Sequence, residues 1–396
     1  MGGRFLGYGR QCIDRSDLDA VIAVLESEFL TQGPVVERFE AALAERVGAR
    51  HAIAVSSGTA ALHVACLAAG FGRGDLGLTA AITFAASANC LLYAGGDAAF
   101  VDVDRTTLNM SLEGLERALA SEPRTKAVLP VHFAGLAHGS AEIRAAARGR
   151  VVIEDAAHAL GGRYSCGKAV GCCAYSDMTI FSFHAVKAIT TGEGGAVLTN
   201  DAELARRVRL LRSHGIERDA ERFIGSDLRE DGRVKPWLAE QQVLGFNYRM
   251  TDIQAALGLS QLARLDRFLE RRREIARHYD DAFVSLPGVC PIQSSTQDRA
   301  RSGLHLYVVW LDFAALKTTR STMMARLAEQ GVGSQVHYVP VYRHPYYATR
   351  YAIDPAAFPE AERYYGSCLS LPFHPGLTDD EVERVVAAVA GIVAGA

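Results

Sequence analysis

The chain has 396 residues, 49% of them hydrophobic and 22% charged, a balance that excludes a mainly disordered or fibrous protein. Lys plus Arg number 42 and Asp plus Glu 45, a net charge of −3 with no long block of either sign, so a nucleic-acid partner is not expected. No stretch approaches the roughly 20 apolar residues that span a bilayer, the opening residues lack a signal-peptide core, and the eight cysteines include no C-x-x-C pair. A cytoplasmic protein with no membrane partner is expected. The spacing of Cys166, Cys172, Cys173 and His184 does not suit a zinc site, and no metal is expected.

In chain order, Leu18, Val21, Ile22 and Leu25 fall at helical spacing, as do Val36, Phe39, Leu43 and Val47 before Gly48, so two helices open the fold. Short apolar runs then alternate with helical stretches at 51–55, 76–82, 98–103, 127–131, 151–154, 179–183 and 196–199. That alternation predicts an α/β domain with a mostly parallel central sheet. Residues 218–242 are polar, carry Gly225, Gly232 and Pro236, and predict one long surface loop. After Thr251 a long helical pattern runs through Ile253, Leu257, Leu262, Leu265, Leu269 and Ile275. Strands at 305–311 and 334–339 then alternate with helices at 321–330 and 378–394, which predicts a smaller C-terminal α+β domain. The expected division is 1–250 for the large domain and 251–396 for the small one.

The chemistry-bearing residues lie in loops that leave the ends of predicted strands, where open α/β sheets bind ligands. Ser56-Ser57-Gly58-Thr59 precedes a helix, so free amides and the positive end of the helix dipole face outward; a phosphate fits there, and so does a plain N-cap. Asp155 falls at the carboxyl end of a buried strand, where a carboxylate needs a cationic or N–H partner or caps a turn. Lys187 follows Phe181-Ser182-Phe183 and precedes the turn Thr190-Thr191-Gly192-Glu193-Gly194-Gly195. A lysine held out of bulk water there suggests a Schiff base with an aldehyde. A phosphate cradle, a strand-end carboxylate and such a lysine are the three handles that pyridoxal phosphate needs.

These motifs, together with Leu30-Thr31-Gln32-Gly33-Pro34, Thr83-Phe84, Glu154-Asp155-Ala156-Ala157-His158 and Asn247-Tyr248-Arg249-Met250-Thr251-Asp252, resemble the DegT/StrS family of sugar aminotransferases over nearly the whole chain. Within the family, residues 181–200 and 237–262 and the run Gln335-Val336-His337-Tyr338-Val339-Pro340-Val341-Tyr342 are most similar to the branch that serves pseudaminic acid biosynthesis.

The resemblance implies the α/β architecture of fold type I pyridoxal phosphate enzymes. It implies transfer of an amino group from L-glutamate, through pyridoxamine phosphate, to C4 of a UDP-linked 4-keto-6-deoxy-N-acetyl-L-hexosamine. By the same resemblance Lys187 would carry the cofactor and move the proton, and Asp155 would pair with the pyridine nitrogen. His158 would contact the ring or its hydroxyl, Phe84 would stack on it, and Gly58, Thr59 and Ser182 would hold the phosphate. Asn247 would reach the phosphate of a second copy, making a homodimer with shared sites. Tyr8, Gln32, Arg249, His337 and Tyr338 are candidates for the sugar-nucleotide pocket. For Phe84 a core position is the alternative, and for His337-Tyr338 packing between lobes. The remaining alternatives are another UDP- or dTDP-linked keto sugar, a sugar dehydratase, which Lys187 argues against, and a regulatory protein on the same scaffold.

Overall fold

The computed structural model describes residues 4–225, 229–230 and 233–395. Helix α1 (Arg15–Leu25) starts from a capping box between Asp14 and Asp17. Helix α2 (Pro34–Val47) starts at a proline, whose missing amide costs nothing in a first turn, and stops at Gly48, which takes φ +77°. The two opening helices stand where periodicity puts them.

Seven strands form the main sheet: β1 (His51–Val55), β2 (Leu76–Ala80), β3 (Asp97–Val101), β4 (Thr125–Leu129), β5 (Val151–Asp155), β6 (Met178–Ser182) and β7 (Gly195–Thr199). Their order is β1-β7-β6-β5-β4-β2-β3, and β7 alone runs antiparallel to its neighbours, so the sheet is mostly parallel as expected. Helices α3 (Gly58–Ala68), α4 (Ala86–Tyr93), α5 (Leu112–Ser121), α6 (Ser140–Ala146) and α7 (Ala202–Arg212) lie along the connections. Successive strand residues face opposite sides. On β6, Ile180 joins the core that includes Leu62, Leu78 and Leu129, while Phe181 joins the core of Phe39, Leu43 and Leu198. Because the strands other than β7 point one way, the loops after β1, β2, β5 and β6 emerge along one edge. The start of β7 meets them there, with Gly195 between Val55 and Ser182.

The segment expected to be one long loop carries two short pairings: β8 (Ile216–Glu217) with β11 (Glu240–Gln241), and β9 (Arg229–Glu230) with β10 (Arg233–Val234). Its residues 226–228 and 231–232 lie outside the described residues. The helical pattern beyond Thr251 is divided into α8 (Asp252–Ala263) and α9 (Leu265–Phe283). They meet at Arg264, whose guanidinium pairs with both Asp14 and Asp17. Helix α8 packs on α1 and α2, and buried Asp252 accepts the Gly33 amide at 2.8 Å and the Val35 amide at 2.9 Å, so one carboxylate ties two helix starts together.

Beyond it, β12 (Val289–Pro291), β13 (Tyr307–Leu311) and β14 (Cys368–Leu371) form an antiparallel sheet. Helices α10 (Thr296–Arg301), α11 (Arg320–Glu329), α12 (Pro345–Tyr351), α13 (Pro359–Ser367) and α14 (Asp379–Ala394) complete the chain. A third core gathers Tyr279, Phe283, Leu311, Leu327, Leu369 and Val389. The expected strand at 334–339 is not one: it makes a single bridge, Gln335 to Ser370, and then departs towards Pro340, which has no amide to give a sheet. Among the described residues no helix is long and apolar enough to cross a membrane.

Candidate active site

At the sheet edge the chain turns from β1 into α3. Ser57 is extended and its Oγ accepts the Ala60 amide at 3.0 Å, which caps the helix and leaves the Gly58 and Thr59 amides without intrahelical partners. Gly58 stands against the end of β6. A Cβ there would lie 2.8 Å from Ser182 Cβ and 3.0 Å from its Oγ, so glycine keeps this cradle open. The start of β7 closes in from the other side: a Cβ on Gly195 would lie 2.5 Å from the Ser57 carbonyl oxygen.

These groups line a cavity of about 390 Å³, whose walls also hold Tyr8, Thr83, Phe84, Asp155, His158, His184, Lys187, Glu193, His305, His337 and Tyr338. A larger groove of about 600 Å³ lies elsewhere, beside Asp14 and α9, but its Arg264 and Arg271 are already paired with Asp14, Asp17, Glu274 and Asp379. Its lining holds no lysine and no pairing of a helix start with a strand-end carboxylate.

Asp155 ends β5 and is buried. Ser87 Oγ donates to its Oδ2 at 2.6 Å and the Ala157 amide to its Oδ1 at 3.1 Å, while Thr83 Oγ1 lies 2.7 Å from Ser87 Oγ. The carboxylate is thus fixed from α4 and from its own loop. Lys187 lies across the cavity, enclosed by protein yet open to the cavity. Burial pushes its amine down to about 8, against the pull of Asp155, so about a tenth is neutral and nucleophilic at pH 7, far more than for an ordinary lysine. Its Nζ lies 3.4 Å from His305 Nε2. His158 Nε2 lies 3.1 Å from the Tyr338 hydroxyl, and its ring is 4.3 Å from that of His305. Burial holds His158 and His305 well below the ordinary imidazole range and His337 at about 4; the Tyr338 phenol is pushed up. Across the neutral range the three imidazoles carry no charge.

The residues present fit pyridoxal phosphate. The helix start and Ser182 offer donors to a phosphate, Asp155 offers a fixed carboxylate, and Lys187 offers an amine able to take an aldehyde. The buried Nδ1 of His158 has no partner within the protein and is free to meet a polar group in the cavity.

Of the residues singled out from sequence, Tyr8, Gly58, Thr59, Phe84, Asp155, His158, Ser182, Lys187, His337 and Tyr338 line this one cavity. Gln32, Asn247 and Arg249 do not. Gln32 takes φ +56° in the turn before α2, Asn247 is exposed and bridges to Ser213, and Arg249 bridges to Val55. Phe84 is 61% exposed, which removes the core reading for it. Tyr342 lies outside the cavity, stacked on Phe358 with its hydroxyl donating to Glu362. Sequence reasoning missed Ser87, His184, Glu193 and His305 as site residues. A polar residue opening the apolar run Leu306-Tyr307-Val308-Val309 is the signal that could have found His305; nothing local marks Ser87.

The sequence profile of the DegT/DnrJ/EryC1/StrS aminotransferase family matches residues 11–390. The spore coat polysaccharide biosynthesis protein SpsC of Bacillus subtilis is 42% identical over 395 residues, which cover 99% of this chain and 98% of that one. Among solved structures, Helicobacter pylori PseC, an aminotransferase involved in the biosynthesis of pseudoaminic acid, superposes with a TM-score of 0.88 at 32% identity, over 99% of this chain and 100% of its own. The PLP form of Streptococcus pneumoniae Spr1654 superposes with a TM-score of 0.88 at 27% identity, over 99% of both chains.

Proposed function

The chain belongs to the DegT/DnrJ/EryC1/StrS aminotransferase family of pyridoxal phosphate-dependent sugar aminotransferases, and from that premise we propose the reaction it performs and the residues that perform it. The reaction is transfer of the amino group of L-glutamate to C4 of a UDP-linked 4-keto-6-deoxy-N-acetyl-L-hexosamine, giving UDP-4-amino-4,6-dideoxy-N-acetyl-β-L-altrosamine. The observation that carries the catalytic part is the meeting of Lys187, Asp155 and the Gly58–Ser182 cradle in one cavity. The likeness to PseC, together with the motifs around Lys187 and Tyr338, supports the choice of sugar.

In this reading the Gly58 and Thr59 amides and Ser182 Oγ would hold the phosphate, and Phe84 and His158 would flank the ring. Bound there, pyridoxal phosphate supplies an aldehyde to carry nitrogen and a protonated ring that draws electrons from the neighbouring carbon. Asp155, held by Ser87 and the Ala157 amide, keeps the proton on the ring nitrogen. Lys187 would anchor the cofactor, and its Nζ, when free, would take the α-proton of the amino acid. In the second half it returns a proton to the sugar carbon. Asn247 would serve the neighbouring protomer of a homodimer, which fits its place outside the chain's own cavity.

The 42% identity to a spore coat polysaccharide protein favours one second reading, the same chemistry on another UDP- or dTDP-linked keto sugar. The test supplies pyridoxal phosphate and L-glutamate with UDP-linked L-series and D-series 4-keto-6-deoxy-N-acetyl sugars and their dTDP counterparts in parallel, and reads products by mass and NMR. A 4-amino product formed chiefly from the L-series UDP sugar is expected. Preference for another sugar overturns the choice of substrate, and failure of glutamate to convert the cofactor to its amine form overturns the donor or the chemistry.

A further inference from the structure

His305 touches the working lysine, and three backbone segments are pressed together to put it there. Gly135, Gly162 and Gly303 converge so tightly that a Cβ on Gly135 would lie 2.7 Å from the Leu304 amide nitrogen, and one on Gly303 would lie 3.0 Å from the Ala159 backbone. The Gly303 amide donates to the Gly135 carbonyl at 2.9 Å, and the His305 amide to the Ala134 carbonyl at 2.9 Å. Ala134 and Leu304 take φ +55° and +49°, left-handed values that side chains with a Cβ adopt only when the surroundings force them.

A buried cation holds the same turn from behind. Arg272, 1% exposed on α9, donates from Nη1 to the carbonyls of Leu304 at 3.1 Å, His305 at 3.3 Å and Phe373 at 3.0 Å. A guanidinium spent on three carbonyls is a costly way to hold a turn unless the turn has a task. The side chain so placed reaches Lys187 Nζ with Nε2 at 3.4 Å, lies 4.3 Å from the His158 ring, and leaves Nδ1 buried without a partner.

We propose that His305 is a positioning residue for Lys187, a neutral imidazole whose Nε2 holds the ε-amine and aims it at the substrate carbon. The inference rests on the aminotransferase reading. Burial above all, and then the nearby Lys187 and Arg272 cations, oppose protonation of the ring, so it holds the amine without adding charge. A carboxylate in its place would fix Nζ as an ammonium ion and remove the base. A hydrocarbon would fill the space and let the amine swing.

Two substitutions separate holding from filling. His305→Phe keeps the ring and its packing on His158 but removes the nitrogen; His305→Gln keeps a polar atom at similar reach. The pyridoxal phosphate-loaded proteins are compared by the pH midpoint of their visible absorbance and by the single-turnover rate with L-glutamate. His305→Phe is expected to slow turnover at least about tenfold, with half-saturation for glutamate changed less than about threefold. Its absorbance midpoint is expected to move by about half a pH unit or more. His305→Gln is expected to bring the rate to within about threefold of wild type and to return the midpoint to the wild-type value. If His305→Phe does not fold, as judged by circular dichroism, His305→Leu takes its place. An aromatic or aliphatic variant that matches wild type in midpoint and rate, or that exceeds His305→Gln, overturns the proposal while leaving the aminotransferase reading intact. A wild-type protein that takes up no cofactor overturns both.

Discussion

Lys187 carries its reactivity as a cost in stability. Burial pushes its amine down to about 8 in the folded chain, against an ordinary lysine value of 10.5. Below pH 8 both states are protonated and the burial cost is fully present; from 8 to 10.5 the unfolded chain binds more protons, so stability rises with pH; above 10.5 the cost is gone. In the cofactor-free protein Lys187→Met is therefore expected to be more stable than wild type at pH 7 by up to about 3 kcal/mol, with the gap closing towards alkaline pH. Urea titrations at several pH values measure it, and equal stability at pH 7 would refute the burial argument. The same position should be indispensable to turnover, with Lys187→Ala losing at least on the order of 10²-fold to 10⁴-fold in the glutamate half-reaction. Asp155→Asn removes the charge that keeps the ring proton and is expected to lose on the order of 10²-fold in kcat. Ser87→Ala leaves that charge but frees it to turn, so its loss should be smaller; an Asp155→Asn rate equal to wild type contradicts the role given to the carboxylate.

At the scale of elements, the join between α3 and β6 works through absence of atoms. Gly58→Ala puts a methyl 2.8 Å from Ser182 Cβ and is expected to weaken cofactor binding by roughly tenfold or more, as equilibrium dialysis would show. Asp252→Ala strands the Gly33 and Val35 amides at the start of α2, and thermal or urea unfolding should reveal a loss of about 1–3 kcal/mol. The strands of the main sheet and the loops after β1, β2, β5 and β6 were legible in the sequence for one physical reason. Strands buried on both faces are continuous apolar runs, and the polar residues that end them stand out. What could not be read depends on contacts distant in sequence. Arg264 stands where the helical pattern divides and is paired with Asp14 and Asp17, and Ser87 belongs to the site only because the start of α4 brings its hydroxyl to Asp155 at the end of β5. The run at 334–339 has a strand's composition, yet only Gln335 reaches Ser370 before the chain turns to place His337 and Tyr338 in the cavity wall. Gln32 and Arg249 share the motifs of site residues without sharing the cavity.

Across the whole molecule, several large apolar side chains face water: Leu244 is 82% exposed, Trp237 70%, and Phe84 stands at the cavity. The proposed homodimer would cover such groups, and a dimer is expected in sedimentation equilibrium. Leu244→Glu should shift that equilibrium towards monomer and weaken cofactor binding in parallel; a wild-type monomer with full activity would exclude shared sites. The long reach of the opening helices has a different consequence. Helix α1 rests on α8, Asp14 and Asp17 wait for Arg264, and β1 pairs with β7. During synthesis at about 5–20 residues per second, helix α1 therefore emerges from the ribosome on the order of tens of seconds before the surface it packs on exists. The loops after β1, β2, β5 and β6 are made in that interval. A chain interrupted just short of α8 would carry Lys187, Asp155 and the phosphate cradle and still lack the surface on which α1 packs.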